Sequence, residues 1–119
     1  MATKSFLLGD ILTVSTGVLL TSMDSVYYIL NHMTQDNLFT HQLLIANPIM
    51  RSELIRQLPF LEDIAKPVGL STREGCDGWI ASQVCLYGEW HAIKSAEHLW
   101  VAHTALGDLN DIWEGKYRG

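Results

Sequence analysis

The sequence predicts a mainly α fold: a single compact domain over 1–119, about five or six short helices, and one short β element near residues 89–94. Three observations carry that expectation. Apolar residues recur at helical spacing, most plainly at Met23, Val26, Tyr27, Leu30 and Met33. Gly17, Gly88 and Gly107 stand just past such segments, where helices stop. The 119 residues are 48% hydrophobic and 18% charged, which suits one folded core, and no repeat, low-complexity tract or linker divides them.

Taken in order, Leu8, Ile11, Leu12 and Ser15 share a helical face, so residues 6–17 read as a short helix closed by Gly17. The β-branched Thr13, Val14, Thr16 and Val18 are the argument for a strand instead. Ser22 or Asp24 can cap a second helix running through Met33. Gln35-Asp36-Asn37 reads as a turn or a new cap, and helix resumes from Leu38 or Phe39 to Ala46. Pro48 suits the first turn of a third helix ending before Pro59. Leu61, Ile64 and Val68 then cover the core from an irregular stretch.

Residues 66–78 hold Pro67, Gly69, Gly75 and Gly78 and read as the most loop-like region. A helix over about 78–86 follows, with Trp79, Ile80, Val84 and Cys85 as core candidates. Trp90-His91-Ala92-Ile93 alternates like a short strand. Ser95 can cap a last helix from Ala96 to Leu106, and residues 108–113 can add a turn.

Thirteen acidic against eight basic residues give a net charge of −5, and the basic residues are scattered. Nucleic-acid binders draw affinity from a basic face that displaces phosphate counterions, so no nucleic-acid partner is expected. Runs of Asp and Glu suited to DNA mimicry are missing too. The apolar stretch from Lys4 to Ser22 is interrupted by Asp10, Thr13, Ser15, Thr16 and Gly17. It reads as an uncleaved start, with no membrane span and a cytoplasmic setting. Cys76 and Cys85 lack metal or redox spacing, which fits a reducing compartment.

The densest polar group is the joint between the second and resumed helices. His32, Asp36, Asn37, Thr40 and His41 lie there and could hydrogen-bond an anion or a nucleotide phosphate near a helix start. The structural reading is that Asp36 or Asn37 caps the helix and the rest satisfy buried backbone, which is the commoner use of polar joints. His32 and Asp36 are four apart, but His98 and His103, five apart, diverge around a helix, so neither a metal nor another cofactor is expected. Cys76, in the expected loop near Arg73, is a candidate thiol. Glu62-Asp63 are adjacent and point apart, and no nucleophile elbow, phosphate loop or dinucleotide fingerprint occurs. Of the four tryptophans, Trp79 and Trp100 are expected in the core. Trp113 either docks on the domain or meets a partner or second subunit.

The strings Asp10-Ile-Leu-Thr-Val-Ser-Thr-Gly17 and Val26-Tyr-Tyr-Ile-Leu-Asn-His-Met-Thr-Gln-Asp-Asn-Leu-Phe-Thr-His-Gln-Leu43 give the first half a likeness. It resembles an uncharacterised family of small proteins encoded by bacteriophages and prophages. The resemblance is densest at Asp36-Asn-Leu-Phe-Thr-His41. Gly often stands in that family where Gln35 stands here, so a tight glycine turn before Asp36 is not carried over. The resemblance implies a viral accessory protein acting in the host bacterial cytoplasm and adds functional weight to the polar joint.

The expected function is therefore non-enzymatic: inhibition of a bacterial defence system or host factor by direct protein binding, with a homodimer left open. His32, Asp36, Asn37, Thr40, His41, Arg73 and Trp113 are the candidate ligand or interface residues. Sequestering a nucleotide at the joint, or a small enzyme using Cys76 or His41, are the alternatives.

Overall fold

The computed structural model describes residues 2–101. Strand β1 (Thr3–Leu7) runs directly into helix α1 (Leu8–Thr16). Helices α2 (Met23–Thr34) and α3 (Thr40–Gln57), a 3₁₀ turn (Pro59–Asp63), helix α4 (Arg73–Tyr87) and strand β2 (Trp90–Lys94) follow, and the chain is helical again over 97–101. The architecture is mainly α with one short sheet, as expected. None of the described helices is long and apolar enough to cross a membrane.

Helix α1 ends where the sequence said it would. Gly17 adopts φ 77°, a left-handed conformation that glycine enters without a Cβ penalty. Arg51 reaches across from α3, its Nε donating to the Val14 carbonyl at 3.3 Å, so one free C-terminal carbonyl of α1 is satisfied. Ser22 caps α2, accepting from the Ser25 amide. Leu8, Ile11, Leu12, Ile29, Leu30, Met33, Met50 and Leu54 form the centre of the core between α1, α2 and α3. Within α2 the buried stripe is Ile29, Leu30, Met33 and Thr34, while Met23 at its start is exposed.

Strand β1 is the element that sequence reading missed: Phe6 and Leu7 belong to it rather than to α1. It pairs antiparallel with β2, Thr3 opposite Lys94 through Leu7 opposite Trp90. A two-stranded ribbon is marginal by itself. Here one face rests on α2, with Phe6 edge-on to Tyr28 and tilted against His32, and Ile93 fully buried. The opposite face, bearing Thr3, Ser5, Leu7, Trp90, Ala92 and Lys94, is open to solvent.

Three further expectations need correction. The two helices expected over 38–58 are one: α3 passes through Pro48. Proline removes the donor to the Leu44 carbonyl, yet Leu44 is 81% exposed and water can replace that donor. Neither Asp36 nor Asn37 caps α3. Gln42 reaches back instead, its Oε1 accepting from the Phe39 amide at 2.7 Å. Residues 73–78, expected in a loop, form the first turns of α4, because Thr72 caps it through the Gly75 amide and Arg73 clamps it to the α1–α2 connection. Helix α4 buries no residue fully: Trp79, Ile80 and Val84 are half-buried and Cys85 is exposed. Trp100 is buried, as expected. The expected end of the last helix at Leu106, its Gly107 stop and the turn over 108–113 lie outside the described residues.

Candidate functional site

At the polar joint, His32, Asp36 and Thr40 are held in the framework. His32 places Nε2 2.8 Å from the Ile93 carbonyl and ties α2 to β2. Asp36 accepts the Trp100 indole N–H at 3.1 Å through Oδ2 and the Asn37 amide at 2.8 Å through Oδ1. Thr40 shares a 2.7 Å hydrogen bond with the Tyr27 hydroxyl, locking α3 onto α2. The joint's connection is held by Asn31, whose Oδ1 accepts from the Leu38 amide at 2.9 Å. Asn37 and His41 are exposed, and the His41 ring stacks on Phe39. The structure brings Asp36 to Trp100 and Thr40 to Tyr27, but these pairs occupy the groups that a ligand would need.

Arg73 lies far from this joint along the chain and serves a different contact. Its guanidinium donates to the Leu20 and Thr21 carbonyls, each at 2.8 Å, and pairs with Asp77 at 3.3 Å. Cys76 therefore sits on α4, half-buried, not in a loop. Trp113 lies outside the described residues. Among the described residues no group of three His, Cys, Asp or Glu side chains could hold a metal ion.

The most distinctive surface lies elsewhere, where β1, α2 and β2 meet. A groove of about 260 Å³ is lined by Lys4, Phe6, Leu7, Asp10, Asp24, Tyr28 and Trp90, among others. Tyr28 and Trp90 are 57% and 59% exposed and so present aromatic area to solvent on either side of it. Lys4 fixes Tyr28: its ammonium donates to the hydroxyl at 2.8 Å and lies 4.0 Å from the ring centroid. A second groove of about 220 Å³ shares Leu7 and Asp10 with the first and adds Asp77 and Glu89 from α4 and the turn before β2. Four carboxylates thus border the two grooves, Asp10 and Asp24 the first and Asp10, Asp77 and Glu89 the second.

Of these four, Asp77 is neutralised by Arg73, and Asp10, Asp24 and Glu89 have no ion-pair partner among the described residues. Lys4 already holds one face of the Tyr28 ring, so a second cation entering here meets the carboxylates of Asp10 and Asp24 and the exposed Trp90 ring. Chemically, the arrangement suits recognition of an ammonium or guanidinium group. Among the described residues that line the first groove, no hydroxyl is hydrogen-bonded to a carboxylate or imidazole.

Sequence reading did not single out this groove, because its residues come from positions 4, 10, 24, 28 and 90 and only the β1–β2 pairing assembles them. The clue available was the excess of Trp near the C-terminal end, a residue type favoured at interfaces.

A second ionic cluster lies on α3. Glu53 is only 8% exposed and takes both guanidinium contacts of Arg56, at 2.6 and 2.7 Å, plus the Gln57 amide at 2.9 Å. The Arg56 hydrogen bond is the main cause holding its carboxyl below the usual range, with Gln57 helping and burial opposing.

Residues 6–64 match a family described as a domain of unknown function, DUF7736. The matched span is just under half of the chain and runs from the end of β1 through α1, α2, α3 and the 3₁₀ turn, leaving α4 and β2 beyond it. No curated protein matches the chain, and no solved structure does either. What the chain shares with that family is therefore the three-helix segment that carries the polar joint and the α2 wall of the groove.

Proposed function

We propose that the protein is a non-enzymatic, phage-encoded accessory protein that acts in the bacterial cytoplasm by binding a host or defence protein and blocking it. The observation that carries the binding reading is the groove with exposed Tyr28 and Trp90 beside Asp10 and Asp24, which have no ion-pair partner among the described residues. Aromatics that can bury large areas at little entropic cost are what interface centres use, and the carboxylates select a basic patch on the partner. The phage and anti-defence parts rest on the resemblance of residues 10–43, not on the groove.

Affinity capture with the tagged protein from bacterial lysate tests this. A host protein is expected in stoichiometric amount with the wild type and at much reduced yield with Trp90→Ala or Asp24→Lys, both exposed positions. A partner retained equally by both variants would remove the groove from the account. Absence of any stoichiometric partner across several defence backgrounds would remove the binding function.

A further inference from the structure

The two edges of the β1–β2 ribbon are finished differently. In an antiparallel pair, alternate residues exchange both backbone hydrogen bonds, and the residues between them point their N–H and C=O groups away from the partner. Ser95 N–H donates to the Ala2 carbonyl and Leu8 N–H to the Glu89 carbonyl. The even positions of β1 are therefore the bonded ones, and Thr3 and Ser5 direct their backbone groups outward.

On β2 the outward groups of Lys94 are taken by a side chain. Gln57 accepts from the Lys94 amide at 2.8 Å and donates to the Lys94 carbonyl at 2.9 Å, as a neighbouring strand would. That amide closes the edge at its last residue. Among the described residues, Thr3 and Ser5 on β1 have no such partner, nor do Ala92 and Trp90 on β2, and β1 is the edge that borders the groove beside Asp10 and Asp24. An open edge is a template for one more strand, which proteins ordinarily cover or blunt.

The uncovered edge is also a wall of the acidic–aromatic groove, which touches each residue from Lys4 to Leu7. We infer that an extended segment of the partner adds to β1 as a third strand and places a Lys or Arg side chain in this groove, an inference that rests on the binding reading above. The geometry sets its position. A guest residue opposite Phe6 carries its side chain on the α2 side of the ribbon, toward Asp24, whereas a basic residue opposite Lys4 would set two ammonium groups side by side. Main-chain bonds supply affinity and the groove supplies selection for positive charge. A second copy of this chain is the weaker occupant, since it brings another −5 net charge and a second Asp10 and Asp24 to the same place.

Selection from a yeast-displayed library of random seven-residue peptides with the full chain tests the inference. Enriched peptides are expected to carry Lys or Arg among alternating β-branched or aromatic residues. The discriminating variant is Ser5→Pro. Its missing N–H points outward, so the β1–β2 ladder survives while strand addition is blocked. The best synthetic peptide should bind Ser5→Pro about tenfold or more weakly, with an unchanged circular dichroism spectrum. N-methylation of the peptide at alternate amides, which leaves the protein untouched, should give a comparable loss. Binding that survives both Ser5→Pro and N-methylation but is lost in Trp90→Ala would overturn strand addition and leave the groove standing. Indifference to all three, no enrichment, or enriched peptides without a basic residue would overturn it too, as would a wild-type dimer that Ser5→Pro dissociates.

Discussion

Replacing Gln57 by alanine is the perturbation whose outcome can be worked most fully from the structure. The side chain makes three hydrogen bonds: two to the Lys94 backbone and one to Glu53. Each ordinary hydrogen bond contributes about 1 kcal/mol net. Lys94 is exposed, so water recovers part of the first two and together they are worth about 1 kcal/mol. Glu53 is buried and loses one of three hydrogen bonds, costing about another 1 kcal/mol while Arg56 still holds it with two. The expected destabilisation is therefore about 2 kcal/mol, or roughly 6–10 °C in Tm for a domain of this size. Gln57→Glu should be worse than alanine, because it loses the donor to Lys94 and sets a second carboxylate against Glu53. Urea denaturation followed by tryptophan fluorescence reads both variants. A Gln57→Ala loss below about 0.5 kcal/mol, or a Gln57→Glu protein more stable than Gln57→Ala, would refute the idea that this amide stands in for a strand.

Three other outcomes follow from named contacts. Gly17→Ala forces a left-handed φ on alanine and drives a Cβ into the Arg51 guanidinium that caps α1, so a loss of about 1–2 kcal/mol in thermal or chemical denaturation is expected. Met50→Ala empties a fully buried position between α1, α2 and α3 and should cost about 2–5 kcal/mol by the same assays. Because the Glu53 carboxyl is held below its ordinary value in the folded state, its contribution is fully present above pH 4.5 and is lost as pH falls through the depressed folded value. Wild type should therefore lose more stability than Glu53→Gln between neutral pH and about pH 3, measured by denaturation midpoints across pH.

Local chemistry made some elements legible and long-range pairing hid others. Ser22, Gly17 and Gly88 act within one helical turn, so the ends they set could be read from neighbouring residues. Strand β1 could not: Thr3–Leu7 becomes a strand because β2, some ninety residues later, completes its hydrogen bonds. The start of α4 was hidden in the same way, since two glycines argue for a loop and the Arg73 bonds to Leu20 and Thr21 override them. Pro48 misled because its position on an exposed face of α3, the reason it is tolerated, is a property of packing. At the polar joint the sequence pointed to a polar cluster, and in the fold His32, Asp36 and Thr40 make bonds between elements. The groove of Tyr28 and Trp90 was invisible for the reason that hid β1.

Backbone amide NMR of the wild-type chain, recorded with and without its captured partner, tests the central claim most directly. Binding through the acidic–aromatic groove predicts the largest shift changes at Thr3–Leu7, Asp24, Tyr28 and Trp90, with the joint at 36–41 nearly still. Changes centred on Asp36, Asn37 and His41, with β1 and Trp90 unmoved, would contradict it.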